Sequence, residues 1–219
     1  YCVQSRYLQP KNGARIEAIR ARIAAWQLEP ELEAVLLVAL MEAADRVDST
    51  TGVQMAYLKQ WSERSHRDLE LRLPEILPRA AHGKGEAWEG DAAEAMLRCE
   101  ADVAYLDPPY NQHKYLGNYH VWETLMRWDR PEVFGKACKR VDCKQRRSDF
   151  NSAKHSRAAL QHVLHHVRAR HLVVSFSDEG HVQPHEILAM LRERGFVWHL
   201  ACDYQRYIGA RIRSEEHTS

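Results

Sequence analysis

The sequence predicts an α/β protein in which a largely parallel, doubly wound sheet follows an N-terminal helical lobe. Apolar residues recur at helical spacing over much of residues 15–47, a pattern typical of buried helices. From residue 86 onward, short apolar runs alternate with helical patterns, and this order of elements favours a parallel sheet. One of the runs, residues 102–106, ends in an acidic turn, at the position where open α/β sheets bind ligands.

Two helices are expected in the N-terminal lobe, which we place at residues 1–80. Isoleucine and tryptophan side chains at helical spacing predict the first helix over residues 15–27. Pro30 and the acidic residues just after it open the second helix, which we expect to end near Val47. Residues 48–52 are expected to form a break after this helix. Residues 53–61 are expected to form a short helix or an extended stretch, and residues 62–85 a polar loop.

The α/β part of the chain is expected over residues 86–212. Its strands are predicted at residues 87–89, 102–106 and 171–176, with a final strand pair at residues 196–207. Its helices are predicted at residues 92–98, 119–128, 156–170 and 184–195. Between the second and third of these helices lies a basic segment that we expect to be rich in turns, at residues 135–152.

Composition narrows the class of protein. Apolar residues make up 45% of the chain and charged residues 28%, which is normal for a soluble globular protein. The longest apolar run, residues 34–41, is too short to cross a bilayer. The five cysteines are odd in number and scattered, so we expect a reducing, cytoplasmic location. The net charge of +1 does not indicate nucleic acid, so any contact with DNA must come from local patches.

The segment Asp107-Pro108-Pro109-Tyr110 directly follows the predicted strand at residues 102–106. The Asp107 carboxylate and the Pro108 carbonyl supply two hydrogen-bond acceptors on a stiff corner, because proline has a fixed φ and no N–H group. Tyr110 offers a flat ring on which a planar base can stack. The alternative interpretation is a plain turn that ends a strand.

This quartet resembles the D-P-P-Y motif of amino-methyltransferases that act on the exocyclic nitrogen of adenine in DNA. Several further segments resemble the D12 class of adenine-specific DNA methyltransferases, which includes Dam-type enzymes. They lie at residues 49–53, 56–59, 105–111, 115, 118–120, 123–124, 148–150, 152 and 175–180. Together these segments extend over most of residues 1–208. The resemblance implies a partial, Rossmann-like catalytic domain that methylates the N6 amine of adenine in double-stranded DNA with S-adenosylmethionine as cofactor.

The resemblance also implies roles for particular residues. The expected catalytic residues are Asp107, Pro108, Pro109 and Tyr110, and the expected cofactor contacts are Asp91 and Asp107. Asp91 is equally well explained as a helix N-cap, and one residue can serve both purposes. The basic residues between 136 and 147 either contact phosphates or form a solvated loop. The expected contacts to substrate DNA are Asn111, Tyr115, Lys139, Arg140, Arg146 and Arg147.

One motif of such methyltransferases is absent from this sequence. No Gly-rich turn of the kind that holds S-adenosylmethionine follows a strand in this sequence, so we expect that motif to lie upstream of the chain, and the activity of the chain alone is open. Residues 213–219 resemble the translation of a sequencing adapter and are expected to be an artefact.

His162 and His166 lack a third ligand, so no metal site is expected. The helical lobe is a candidate for target recognition, and a cognate restriction endonuclease is a candidate partner. The alternative functions are cytosine-N4 methylation and a non-catalytic DNA-binding remnant.

Overall fold

The computed structural model describes residues 1–55 and 58–203 of the 219-residue chain. Residues 56–57, the end of the expected strand pair at 204–207 and the adapter-like tail lie outside the described residues. The described part divides into two compact units, residues 1–78 with 115–145 and residues 79–114 with 146–203. Its helices and strands, in chain order, are α1 (Pro10–Trp26), α2 (Pro30–Asp45), α3 (Ala92–Ala95), β1 (Glu100–Leu106), α4 (Tyr115–Asn118), α5 (His120–Arg127), β2 (Val133–Phe134), β3 (Lys139–Arg140), α6 (Ser156–His166), β4 (Arg168–Val174) and α7 (Pro184–Arg192).

The two N-terminal helices α1 and α2 form the frame of the first unit, and both were predicted. Each begins with a proline in its first turn, where the missing N–H group has no intrahelical partner to lose. Ile16 and Ile23 from α1 pack with Leu40 from α2 in one hydrophobic cluster. Apolar spacing therefore identified both helices, because the same side chains that repeat along the sequence are the ones buried between them.

Residues 115–145 also belong to the first unit, which no local sequence pattern had indicated. Arg20 of α1 is 5% exposed, and it donates to the carbonyls of Leu125 over 2.9 Å and Met126 over 3.1 Å. These carbonyls lie in the last turn of α5, where the helix supplies no further N–H donors for them. The Arg20 guanidinium also lies 5.4 Å from the ring centroid of Trp128, a cation–π distance. One buried cation therefore joins α1 to the end of α5.

His120, the first residue of α5, lies in the interior of the first unit and is 0% exposed. Its Nε2 atom lies 3.0 Å from the Gln54 carbonyl oxygen, and the Tyr7 hydroxyl donates to that same oxygen over 2.7 Å. The Gln54 side chain in turn accepts the backbone N–H of Val121 over 2.8 Å. The loop that follows residue 52 is thereby hydrogen-bonded to the start of α5.

Burial of His120 makes the stability of the first unit depend on pH. Burial lowers the pKa of His120 from 6.5 to about 4. Because the unfolded chain binds this proton more tightly than the folded chain, stability is fully present above pH 6.5 and is lost as the pH falls toward 4. We expect the free energy of unfolding to fall by about 2–3 kcal/mol between pH 7 and pH 4.5 from this group alone, measured by urea titration.

The matched controls for this prediction are two histidine variants. In His120→Gln the difference between the two pH values should shrink by that amount, whereas His185→Gln, which changes an exposed histidine of α7, should keep the wild-type difference. Equal pH dependence in wild type and His120→Gln would contradict the prediction.

The second unit contains the predicted parallel sheet. Strands β1 and β4 pair in parallel, from Glu100 opposite Arg168 to Leu106 opposite Val174, and α6 lies between them in sequence, as a parallel crossover requires. Helix α6 ends at His166, four residues earlier than expected, and β4 begins at Arg168. Arg168 and Arg170 resemble the basic residues of a last helical turn, and this is why the boundary was misplaced. The fold is thus mixed α/β with a parallel sheet.

The two faces of this sheet differ in their surroundings. Leu106, Leu172 and Val174 pack against α6 and α7 in a hydrophobic cluster. Val103, Tyr105 and Val173 alternate with the residues of that covered face, and they are between 50% and 62% exposed. The helices of the described residues therefore cover one face of the sheet and leave an apolar face bare.

Several local predictions were wrong. Residues 87–89 and 196–203 form no strand, and α3 ends at Ala95 rather than at 98. Of the two alternatives expected for residues 53–61, a short helix is absent from residues 53–55 and 58–61. Phe196, Trp198 and Leu200 alternate as in a strand, but they are between 84% and 90% exposed. An apolar alternation alone does not make a strand when no neighbouring strand pairs with it. None of the helices formed by residues 1–55 and 58–203 has the length and apolar character needed to cross a bilayer.

Candidate active site

The quartet begins one residue after β1 ends, at the carboxyl edge of the parallel sheet. The backbone N–H of Ser175 donates to the Leu106 carbonyl over 3.0 Å, so the pairing of the two strands continues up to the quartet. Asp107 is exposed, and Pro108 and Pro109 are half-buried. The carboxylate is therefore at the surface, at the edge where α/β sheets bind their ligands.

Two contacts with the segment that follows β4 fix the position of Tyr110. Its carbonyl accepts the backbone N–H of His181 over 2.8 Å. Its ring centroid lies 6.1 Å from that of Phe176, with the two planes inclined by 60°, an arrangement that aromatic pairs favour. Tyr110 is 36% exposed, so the ring is oriented by contacts on one side and accessible to a planar ligand on the other.

The space for Phe176 depends on Gly180, which is buried. A Cβ atom at position 180 would overlap Cε1 of Phe176 and would lie 3.0 Å from the carbonyl oxygen of Ser177. The backbone N–H of Gly180 donates to that carbonyl over 3.0 Å, so the turn is closed and has little room to move. Glycine at this position therefore lets Phe176 lie where it supports Tyr110.

We expect Gly180→Ala to lower the free energy of unfolding by about 1–3 kcal/mol, because the added methyl group overpacks the turn. Urea unfolding measures the change. Gly85→Ala is the matched control, because a Cβ atom there would meet no atom within 4 Å, and it should change stability by less than about 0.5 kcal/mol. Equal effects of the two substitutions would show that Gly180 does not support the Phe176 ring.

The loop after the quartet has contacts of its own. The Asn111 side chain accepts the backbone N–H of His113 over 2.9 Å. The Asn151 side chain donates to the carbonyls of Asn111 over 2.8 Å and His113 over 3.1 Å. No local sequence pattern predicts a role for Asn151 itself. The residues on either side of Asn151, at 148–150 and 152, resemble the D12 class, and this resemblance was the one indication that the segment lies near the site.

Asp91 immediately precedes α3, as an N-cap residue does. Its side chain accepts the backbone N–H of Ala93 over 2.8 Å, and Asp91 is exposed. The interpretation of Asp91 as a helix N-cap is therefore confirmed, and its contact with a cofactor stays a prediction.

The predicted DNA contacts fall in both units. Tyr115 and Lys139 belong to the first unit, and Asn111, Arg146 and Arg147 belong to the second. Tyr115 is exposed and stacks on Tyr119 at a centroid distance of 6.2 Å, and Lys139 is half-buried. Arg146 and Arg147 are exposed, and Nη1 of Arg146 lies 3.7 Å from the Glu89 carboxylate.

Arg140 does not fit the DNA contact that was expected of it. Its side chain is 2% exposed, and it donates to both oxygens of Asp129 over 2.8 and 2.6 Å and to Asp142 over 2.9 Å. The hydrogen bonds that Arg140 donates to Asp129 and Asp142 raise the pKa of Arg140, and the bond from Arg140 lowers the pKa of Asp129. The prediction was wrong because a run of basic residues does not show which of its members turns inward.

The sequence of the chain is similar to a known protein family and to several of its members. The family model described as "D12 class N6 adenine-specific DNA methyltransferase" matches residues 3–189. Modification methylase StsI of Streptococcus sanguinis is 30% identical over 194 residues, which cover 87% of this chain and 29% of StsI. Type II methyltransferase M.FokI of Planomicrobium okeanokoites is 34% identical over 193 residues, with coverages of 86% and 29%. Type II methyltransferase M.NlaIII of Neisseria lactamica is 24% identical over 225 residues, with coverages of 99% and 66%.

The chain thus spans 29% of the length of the StsI and M.FokI methylases. No solved structure matches it significantly. The region matched by the family model contains α1, α2, β1, the quartet, β4 and the Gly180 turn. Because that match extends over far more than half of the chain, the chain belongs to the D12 class of N6 adenine-specific DNA methyltransferases.

Proposed function

We propose that the protein containing this chain transfers a methyl group from S-adenosylmethionine to the N6 amine of adenine in double-stranded DNA. The observation that carries the proposal is the exposed corner Asp107-Pro108-Pro109-Tyr110 at the carboxyl end of β1. Membership of the D12 class supports the proposal. The printed names of the relatives, which are modification methylases and type II methyltransferases, support a role beside a cognate restriction endonuclease.

The corner suits this chemistry because the adenine amine is a poor nucleophile, its lone pair being delocalised into the ring. The Asp107 carboxylate and the Pro108 carbonyl accept the two N–H bonds, which draws the nitrogen toward a tetrahedral geometry and localises the lone pair. Tyr110 stacks on the base after it leaves the duplex, since its amine is otherwise inaccessible. Catalysis here is positioning and electrostatic stabilisation without a covalent enzyme intermediate.

The proposed cofactor contacts of this chain are Asp91 and Asp107. Both carboxylates are exposed, and a carboxylate accepts hydrogen bonds from the ammonium and hydroxyl groups that S-adenosylmethionine carries. The cofactor supplies the methyl group from its sulfonium. In this proposal Asp107 accepts from both the adenine amine and the cofactor, so that methyl donor and acceptor meet at reacting distance.

We further propose that β1 and β4 belong to a Rossmann-like, doubly wound sheet in a catalytic domain over residues 86–212, in a cytoplasmic enzyme. The bare apolar face formed by Val103, Tyr105 and Val173 supports this, because parallel sheets are normally covered on both faces. The helical lobe at residues 1–80 is proposed to contribute to target recognition. The proposed contacts to DNA are Asn111, Tyr115, Lys139, Arg146 and Arg147.

The test is to incubate the natural gene product that contains this chain with unmethylated duplex DNA and methyl-labelled S-adenosylmethionine. The DNA is then digested to nucleosides and analysed by mass spectrometry. Labelled N6-methyldeoxyadenosine is the expected product. Labelled N4-methyldeoxycytidine would replace the proposal with cytosine methylation, and DNA binding without either product would favour a non-catalytic remnant.

A further inference from the structure

We propose that Asn151 is a positioning residue that clamps the backbone after the quartet and thereby sets the direction of the acceptors on Asp107 and Pro108. The Asn151 Nδ2 group donates to the carbonyls of Asn111 over 2.8 Å and His113 over 3.1 Å. One amide group thus uses its two N–H bonds on carbonyls two residues apart. The identity of the substrate amine rests on the proposed function, whereas the clamp itself rests on this geometry.

The position of Asn151 is fixed by the core of the second unit. Asn151 ends the 3-10 helix Asp149–Asn151. The preceding residue, Phe150, packs in the same hydrophobic clusters as Leu106 and Leu172. Leu106 immediately precedes Asp107, so one cluster of apolar side chains anchors both the residue before the quartet and the residue before the clamp. The distance between quartet and clamp is therefore set by a packed core, which deforms little.

The quartet lies between anchored points of backbone. The Leu106 carbonyl accepts from Ser175 and the Tyr110 carbonyl accepts from His181, and Asn151 holds the stretch that follows Tyr110. Proline fixes φ at both Pro108 and Pro109, so the corner has few torsions with which to absorb a displacement. Release of the stretch at 111–113 would leave the downstream end of the corner held by the single hydrogen bond between the His181 N–H and the Tyr110 carbonyl. The corner would then be able to turn as a stiff piece and carry the Pro108 carbonyl away from its target.

The kinetic test compares Asn151→Asp with Gln112→Glu. Asn151→Asp keeps the shape of the side chain but replaces its donors with an oxygen that repels two carbonyls. We expect kcat to fall about a hundredfold, the effect of an ångström-scale misplacement, with KM for DNA changed by less than about threefold. Gln112→Glu adds the same charge at an exposed position of the clamped stretch 111–113 without removing the clamp, so it should leave kcat unchanged and should likewise change KM for DNA by less than about threefold. Equal effects on kcat would overturn the clamp.

A second readout needs no methyl transfer. Amide hydrogen exchange, measured on peptides that cover residues 110–113, should be faster in Asn151→Asp than in wild type and Gln112→Glu, while peptides from α6 keep wild-type rates. Asn151→Ser removes the amide donors without adding a charge, so it should lie between wild type and Asn151→Asp in both exchange and kcat. Unchanged exchange in both Asn151 variants would overturn the clamp. Failure of the wild type to methylate adenine would overturn the proposed function and leave the clamp to be judged by exchange.

Discussion

Asp107→Ala should abolish methyl transfer to adenine while largely preserving nonspecific binding to DNA. The substitution removes the carboxylate that accepts one N–H bond of the amine, and loss of a preorganised group of this kind costs about 10²–10³-fold in rate. Because Asp107 is exposed and follows the end of β1, the substitution should leave the fold intact. Single-turnover transfer of labelled methyl groups measures the rate, and fluorescence anisotropy with duplex DNA measures binding.

Two variants make the Asp107 prediction specific. Asp107→Asn keeps an acceptor oxygen in the same shape, so it should retain more activity than Asp107→Ala. Asp102→Ala removes another exposed carboxylate from the same strand, and it should keep wild-type turnover. Wild-type turnover in Asp107→Ala would refute the role given to the quartet.

Arg140→Ala should destabilise the first unit, whereas Lys139→Ala should weaken DNA binding. Removal of the Arg140 guanidinium leaves Asp129 and Asp142 without the cation that both contact. Breaking such a pair costs about 3 kcal/mol, the lower end of the usual range, because these carboxylates are 35% and 29% exposed. Lys139→Ala should alter the free energy of unfolding by less than about 0.5 kcal/mol.

Urea unfolding and the salt dependence of DNA binding separate these two residues. If Lys139 contacts a phosphate, Lys139→Ala should reduce the slope of log affinity against log salt by about one. Arg140→Ala should leave that slope unchanged under conditions where the variant is folded. A reversed pattern, with the slope lost in Arg140→Ala and stability lost in Lys139→Ala, would invalidate the interpretation of Arg140 as an interior ion pair.

Local patterns predicted the parts of this fold whose causes are local. Helix α1 follows from apolar spacing, although it begins at Pro10, five residues before the predicted start, and α2 follows from apolar spacing and Pro30. The position of the quartet follows from the apolar run that became β1. Contacts between distant parts of the chain were not predictable in this way. Arg20 and Leu125 are 105 residues apart, and Gln54 and His120 are 66 apart, so nothing near either residue indicates that 115–145 joins the first unit.

In the candidate site, too, local features were predictable and contacts between distant segments were not. The quartet was identified because its chemistry lies within four consecutive residues. The supports of that quartet come from separate segments, since Asn151 binds backbone 38 and 40 residues away and Gly180 matters through the ring of Phe176. Arg140 was misinterpreted for the same reason, because the two carboxylates that hold it inside are recognisable only after the chain has folded around them.

The open sheet of the second unit has a practical consequence for the isolated chain. Strands β1 and β4 form a sheet of two among the described residues, so each offers its outer row of N–H and C=O groups beside the apolar side chains of Val103, Tyr105 and Val173. Such rows are templates on which a strand of another molecule can add. The isolated chain is therefore expected to polymerise edge to edge, and a polypeptide segment that pairs with those rows would prevent this polymerisation.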